Sequence, residues 1–113
     1  MLKDNYRLKK NKDFRVVYQN GKVIPSKYFV LYYKPNSSKS LRIGFSASKK
    51  IGNSIVRSRA KRILREAVRK HLEKITVGFD IIFIARARIK GIKSTEVENI
   101  LVNLLVKNKL LNR

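Results

Sequence analysis

The chain has 113 residues, with 28 Lys or Arg against seven Asp or Glu, one His and no Cys, giving a formal net charge of +21. That length suits one domain with its own core, and a hydrophobic fraction of 43% argues against disorder. The lack of Cys excludes a disulfide scaffold, a thiolate metal site and a thiol nucleophile, and agrees with a cytoplasmic location. The charge excess favours a polyanionic partner: nucleic acid leads, and an anionic membrane surface is the rival. A merely solvated face would not need so one-sided a balance. The opening MLKDNYRLKK lacks the long apolar stretch of a secretory signal, and the longest apolar run, IIFIA, is too short to span a bilayer.

Residues 1–10 read as a basic N-terminal arm with the composition of a flexible segment. NKDFRVVYQNG predicts a short helix capped by Asn11, with Asp13 in its first turn and Gly21 as a left-handed stop. Phe14, Val17 and Tyr18 share one side of it. SKYFVLYYK alternates as a strand, with Tyr28, Val30 and Tyr32 on one face and Phe29, Leu31 and Tyr33 on the other. PNSSKS is a turn. LRIGFSASK is a second strand, with Leu41, Ile43, Phe45 and Ala47 opposite a small polar face of Arg42, Gly44, Ser46 and Ser48. A loop at SKKIGNS leads to a long helix from about Ser54 to His71. TVGFDIIFIARAR is a more continuously apolar and therefore central strand. After a turn at GIKS, Thr95 and Glu98 suggest a capping box for a last helix, whose buried stripe is Val97, Ile100, Leu101, Leu104 and Leu105. The strand–long helix–strand segment reads as a crossover between parallel strands. The expectation is α+β: a small two-layer sandwich of three helices on a mixed sheet of about four strands.

The long helix carries the chemistry. GNSIVRSRAKRILREAVRK holds seven Lys or Arg and a single acid, Glu66. At about 100° per residue, Val56, Ala60, Ile63, Leu64, Ala67 and Val68 form a core-facing side. Lys61, Arg62, Arg65 and Arg69 lie around the opposite side, where an Arg fork can grip two phosphate oxygens at once. Basic amphipathic helices also bind membranes, but this apolar side is needed to cover a sheet and lacks Trp and Phe. The aromatic residues add a second clue. Phe14 and Tyr18 stand one helical turn apart, and Tyr28 and Tyr32 two steps apart, beside the small polar strand face. They suit either base stacking or ordinary core packing. His71 reads as half-buried structure. The seven acids are scattered without a catalytic or metal-binding pairing, and no Gly-rich phosphate loop is present.

SASKKIGNSIVRSRAKRILREAVR resembles the signature of the bacterial ribonuclease P protein family: Lys-Lys after a strand, then Gly-Asn and spaced Arg and Lys along the helix. RLKKNKDFRVVYQNG, FVLYY and DIIFIAR are similar to the family's start, first strand and last strand. One departure is Ser58, where the family usually has Asn between two arginines. The resemblance implies a single RNA-binding domain over residues 1–113. Its strand–helix–strand crossover would be left-handed, although such crossovers are right-handed in about 98% of cases. It implies a cytoplasmic endonuclease of tRNA processing that works as a ribonucleoprotein. A catalytic RNA, using Mg²⁺, would cleave precursor tRNA to form the mature 5′ end. The protein would bind that RNA and the single-stranded 5′ leader, with no catalytic side chain and no further protein partner. Whether the protein holds a metal of its own is left open. Carried over by position, RNA binding falls to Asn53, Arg57, Ser58, Arg59, Lys61, Arg62, Arg65 and Arg69. The leader cleft takes Phe14, Tyr18 and Tyr32, with Lys49 and Lys50 nearby and the polar strand face of Arg42, Ser46 and Ser48 beside them. A basic RNA-binding protein of ribosomal type is the alternative that composition alone does not separate.

Overall fold

The alternating and apolar runs become strands, and the periodic ones become helices, in a computed structural model that describes residues 6–112. In chain order the elements are α1 (Asn11–Asn20), β1 (Lys22–Pro25), β2 (Phe29–Pro35), β3 (Leu41–Ala47), α2 (Ser54–Arg69), β4 (Phe79–Ala85) and α3 (Ser94–Lys107). The sheet order is β1-β2-β4-β3. β2 is antiparallel to both β1 and β4, and β3 runs parallel to β4. The parallel pair is joined by α2, the expected crossover. β4 is central, as its continuous apolar sequence requires.

Alternation along the strands divides the core in two. Phe29, Leu31, Tyr33, Ile43, Ile81 and Phe83 face α2 and α3, where they meet Leu64, Val68, Val97, Leu101 and Leu105. The opposite face carries a smaller cluster: Val17 of α1, Leu8 and Ile82, with Phe14, Tyr32 and Ile84 packed against them. The helix pair and the sheet form the two main layers. α1 adds a partial third, and its shortness leaves part of that face open.

Several local expectations are corrected. α1 starts at Asn11 itself, because the Lys10 carbonyl accepts the Asp13 and Phe14 N–H groups; no side chain caps the helix. Gly21 is extended (φ −86°), not left-handed. It is glycine because a methyl there would strike the carbonyl oxygens of Val17 and Tyr33. The chain passes straight into β1, which the sequence reading left unassigned. Tyr28 does not share Tyr32's face. Ser26 closes a turn on the Phe29 carbonyl, and Tyr28 is buried in the main core with its hydroxyl donating to Glu96. α2 ends at Arg69, and His71 lies just beyond it. The capping box of α3 does not form. Lys93 holds the cap position, and Glu98 turns to His71 Nε2 at 2.7 Å and Lys70 Nζ at 3.5 Å. The hydrogen bond with His71, with the Lys70 ammonium nearby, draws the carboxylate away from the helix-end amides and holds its pKa below the usual range. Part of the N-terminal arm is docked: Arg7 bridges to Ile43, and Leu8 donates to the Ile43 carbonyl and is buried. Residues 1–5 of that arm lie outside the described residues.

The apolar side of α2 is committed to this core: Leu64 is 0% exposed. Leu64→Ala should therefore cost about 2–5 kcal/mol in a urea titration. Arg62→Ala, on the exposed side, should stay within about 0.5 kcal/mol. Equal losses would mean the two faces of α2 had been exchanged.

Candidate nucleic-acid interface

β3 is an edge strand, met on its outer side at Ile43 by Arg7 and Leu8, and a groove follows that side. One part is a hollow of about 190 Å³ lined by Arg7, Leu8, Phe14, Ile43, Gly44, Phe45, Lys61 and Arg65. The next, of about 470 Å³, is lined by Asn11, Phe14, Arg15, Tyr18, Phe45 and Ser46. Phe14 and Phe45 belong to both, so the hollows are continuous. Every charged residue lining them is a cation.

The aromatic wall forms as the spacing suggested. Phe14 and Tyr18 have ring centroids 6.2 Å apart, and Tyr18 meets Tyr32 edge-on at 5.0 Å. Phe14 lies directly over Gly44, where a β-carbon would overlap the ring. That glycine is what lets α1 sit so close to β3. Tyr18 is 37% exposed. Its phenol is nonetheless partly desolvated, which raises its pKa, with a contact from Ser46 acting the other way. On the other wall the Arg65 guanidinium sits 5.6 Å from the Phe45 ring centroid, and Phe45 stacks on Phe83 at 5.8 Å. A planar cation on an exposed aromatic ring offers an adaptable stacking surface.

The start of α2 is built by its signature residues. Gly52 adopts φ 151°, a conformation that favours glycine, and packs against Val56. Asn53 caps the helix, its Oδ1 accepting from the Val56 N–H at 3.0 Å. Asn53 is thus first a structural residue. From there the cations fan out. Lys61 and Arg65 face the groove, and Arg57 is half-buried. Arg62 and Arg69 point outward, with Arg69 paired to Glu66 at 2.9 Å. Arg59 lies on the far flank of α2, outside the groove. Ser58 is exposed, so Ser in place of Asn costs the fold no buried contact.

Arg42 departs most from its expected role. Its Nε and Nη2 grip the two Asp80 oxygens at 2.9 and 2.7 Å, and Nη1 reaches Asp13 at 3.3 Å. Asp80 is the only charged residue counted as buried among those described, 6% exposed, and Asn36 also donates to it. The fork raises the Arg42 pKa and binds α1, β3 and β4 together. Its guanidinium is thus engaged by two carboxylates within the fold. Ser48, Lys49 and Lys50 are exposed past the end of β3, beyond the hollows. The structure thus brings Phe14, Tyr18 and Ser46 to one hollow, with Tyr32 against Tyr18, and Phe14 with Lys61 and Arg65 to the adjoining one, and sets Arg42, Asn53 and Arg59 apart. Sequence reasoning missed Arg7, Arg15 and Phe45. Phe45 packs against the core, as its face predicts, and β3's place at the sheet edge also leaves part of its ring to the groove.

A family model described as Ribonuclease P matches residues 2–109. The "Ribonuclease P protein component" of Alkaliphilus metalliredigens is 44% identical over 111 residues, covering 98% of this chain and 100% of the relative. That of Clostridioides difficile is 41% identical over 104 residues, 91% of each. Among solved structures, the RNase P protein of Staphylococcus aureus superposes with a TM-score of 0.83 at 37% identity, covering 95% of this chain and 98% of that one. The Thermotoga maritima protein gives 0.80 at 30% identity, covering 89% and 96%.

Removing a partner from a largely buried carboxylate leaves that charge unsatisfied. Arg42→Ala should thus destabilise the fold by about 1–3 kcal/mol, where Arg62→Ala does not. Urea midpoints of both variants check this, and an Arg42→Ala protein as stable as the unaltered chain would return Arg42 to ligand binding.

Proposed function

The chain belongs to the ribonuclease P protein family, and from that premise we propose that its groove holds the single-stranded 5′ leader of precursor tRNA. Membership makes it a component of a ribonucleoprotein with a role in tRNA 5′ processing, which displaces the ribosomal-type alternative. The observation that carries the finer reading is the groove. Phe14 lines both of its hollows, Tyr18 lines one with Tyr32 packed against it, and Lys61 and Arg65 line the other, with no acid in either lining, beside the sheet's edge strand. A single strand needs flat faces for its bases and cations for its backbone, and this groove offers both. The outward cations of α2, Arg62 and Arg69 with Arg57 behind them, would hold the catalytic RNA next to the bound leader.

Bond cleavage is assigned to that RNA and its Mg²⁺. Four of the described carboxylates already have partners. Asp13 and Asp80 are held by Arg42, Glu66 by Arg69, and Glu98 by His71 and Lys70. Among the described residues no three potential ligands gather at one place. The side chains of this chain bind, orient and neutralise charge. The work is assigned to the cytoplasm and to RNA partners alone. The membrane alternative finds no support in α2, whose apolar residues Ala60, Leu64, Ala67 and Val68 are buried in the core, and no described helix is long and apolar enough to cross a membrane.

The direct test is reconstitution of tRNA 5′ maturation with the RNA subunit encoded in the same genome. Phe14→Ala should weaken binding of a precursor with a long leader and leave mature tRNA nearly unchanged. Stacking at about 1–3 kcal/mol per base puts the loss of discrimination between about five-fold and 150-fold. A variant that kept its preference for precursor would remove the groove from leader binding. Affinity for the RNA subunit should also fall with salt, with a log–log slope of about −4 to −7 if six to eight phosphates are neutralised. A slope near zero would contradict an electrostatic grip.

A further inference from the structure

On the far flank of α2, facing away from the groove, lies a second concavity of about 440 Å³. Its floor is apolar: Val56, Ile63, Ile89 and Ile92. Its rim is cationic: Arg59 from α2, and Lys90 and Lys93 from the segment after β4. No acid lines it, and none of the three rim cations enters an ion pair among the described residues. Gly91 forms part of the wall at φ 77°, and a methyl placed on it would meet no atom within 4 Å, so the side at Gly91 is open. Arg86 and Arg88, both exposed, extend the positive surface along the chain.

We propose that this concavity is a slot for an unpaired nucleotide of the ribonucleoprotein's RNA, so that α2 is gripped by RNA on both flanks. The inference rests on the RNA partnership proposed above. Its volume lies in the range of clefts that enclose small ligands, roughly 300–1,000 Å³. Aliphatic side chains cover the faces of an unstacked base, and cations at the mouth meet the phosphates on either side of it. A base buried to the floor would also stop α2 rolling on its RNA, which a phosphate-only contact does not do. The slot gives Arg59 a task distinct from those of Lys61 and Arg65. It also accounts for RARIKGIK, a second basic run that the groove leaves unused.

The test uses the full chain bound to the RNA subunit of its own genome, transcribed with 4-thiouridine or 6-thioguanosine. Irradiation should give crosslinks that map to residues 89–93 as well as to the groove. Ile92→Ser should lower affinity for the RNA subunit about ten-fold or more with an unchanged salt slope, since it removes no phosphate contact. The double variant Lys90→Ala/Lys93→Ala should lower affinity and make the slope shallower by about one to two. Both should keep the preference for precursor over mature tRNA. Should Ile92→Ser unfold, the crosslinks on the unaltered chain decide. Crosslinks confined to the groove, or variants that bind like the unaltered chain while maturation proceeds, overturn the slot alone. Failure of the unaltered chain to bind the RNA or support maturation overturns the functional reading, and the slot with it.

Discussion

The Arg42 fork is the constraint on which the rest depends. A chain with a net charge of +21 has to hold itself together against its own repulsion, and it has seven acids with which to do so. Two of them, Asp13 and Asp80, meet on a single guanidinium. That contact ties the first turn of α1 to both strands of the parallel pair. It fixes α1 at the height where Phe14 covers Gly44, and hence where the aromatic wall begins. Three more described acids have partners: Glu66 pairs with Arg69 within α2, Glu98 joins α3 to His71 and Lys70, and Glu96 takes the Tyr28 hydroxyl. The linings of the groove and of the far α2 flank contain no acid.

Geometry then sorts the cations by function. They are dense along α2, and the helix turns them through most of a circle around its buried stripe. Lys61 and Arg65 reach inward to the groove, Arg62 and Arg69 point to solvent, and Arg59 looks over the opposite flank. A single basic helix thereby presents three surfaces. Its apolar stripe is tied into a core made with both the sheet and α3, so these surfaces are held at fixed angles to the aromatic wall.

Much of this was legible in the sequence, for a physical reason. Burial imposes a period, so the two faces of α2, the strands β2, β3 and β4, and the aromatic spacing on α1 could all be read from local pattern. The crossover followed from element order. What escaped depended on contacts across the fold. Arg42 looked like one more cation until the register placed it beside Asp80. Phe45 is core as its face predicts, but only β3's place at the edge leaves part of its ring to the groove. Gly21 and Gly44 look alike in sequence, yet one is required by two carbonyls and the other by an aromatic ring. Glu98 fits a capping box locally and is drawn away by His71, 27 residues earlier. The signature around Gly52 and Asn53 identified the family, but its first two residues serve to start a helix.

The strand order bears on how the chain comes to be folded. β4 is the only strand that touches β3, and it also separates β3 from β2. Until its residues are available, the β1–β2 hairpin is the whole of the sheet, and an isolated hairpin is at best marginally stable in water. α2 meanwhile has an apolar side and nothing complete to cover. Neither the sheet nor the core it shares with α2 is complete before the segment ending at Ala85 is available, so in that interval the nascent chain is a polycation without its full core. Such non-local closure is slow in small domains. An RNA that met the chain in that interval would encounter its charge before its shape.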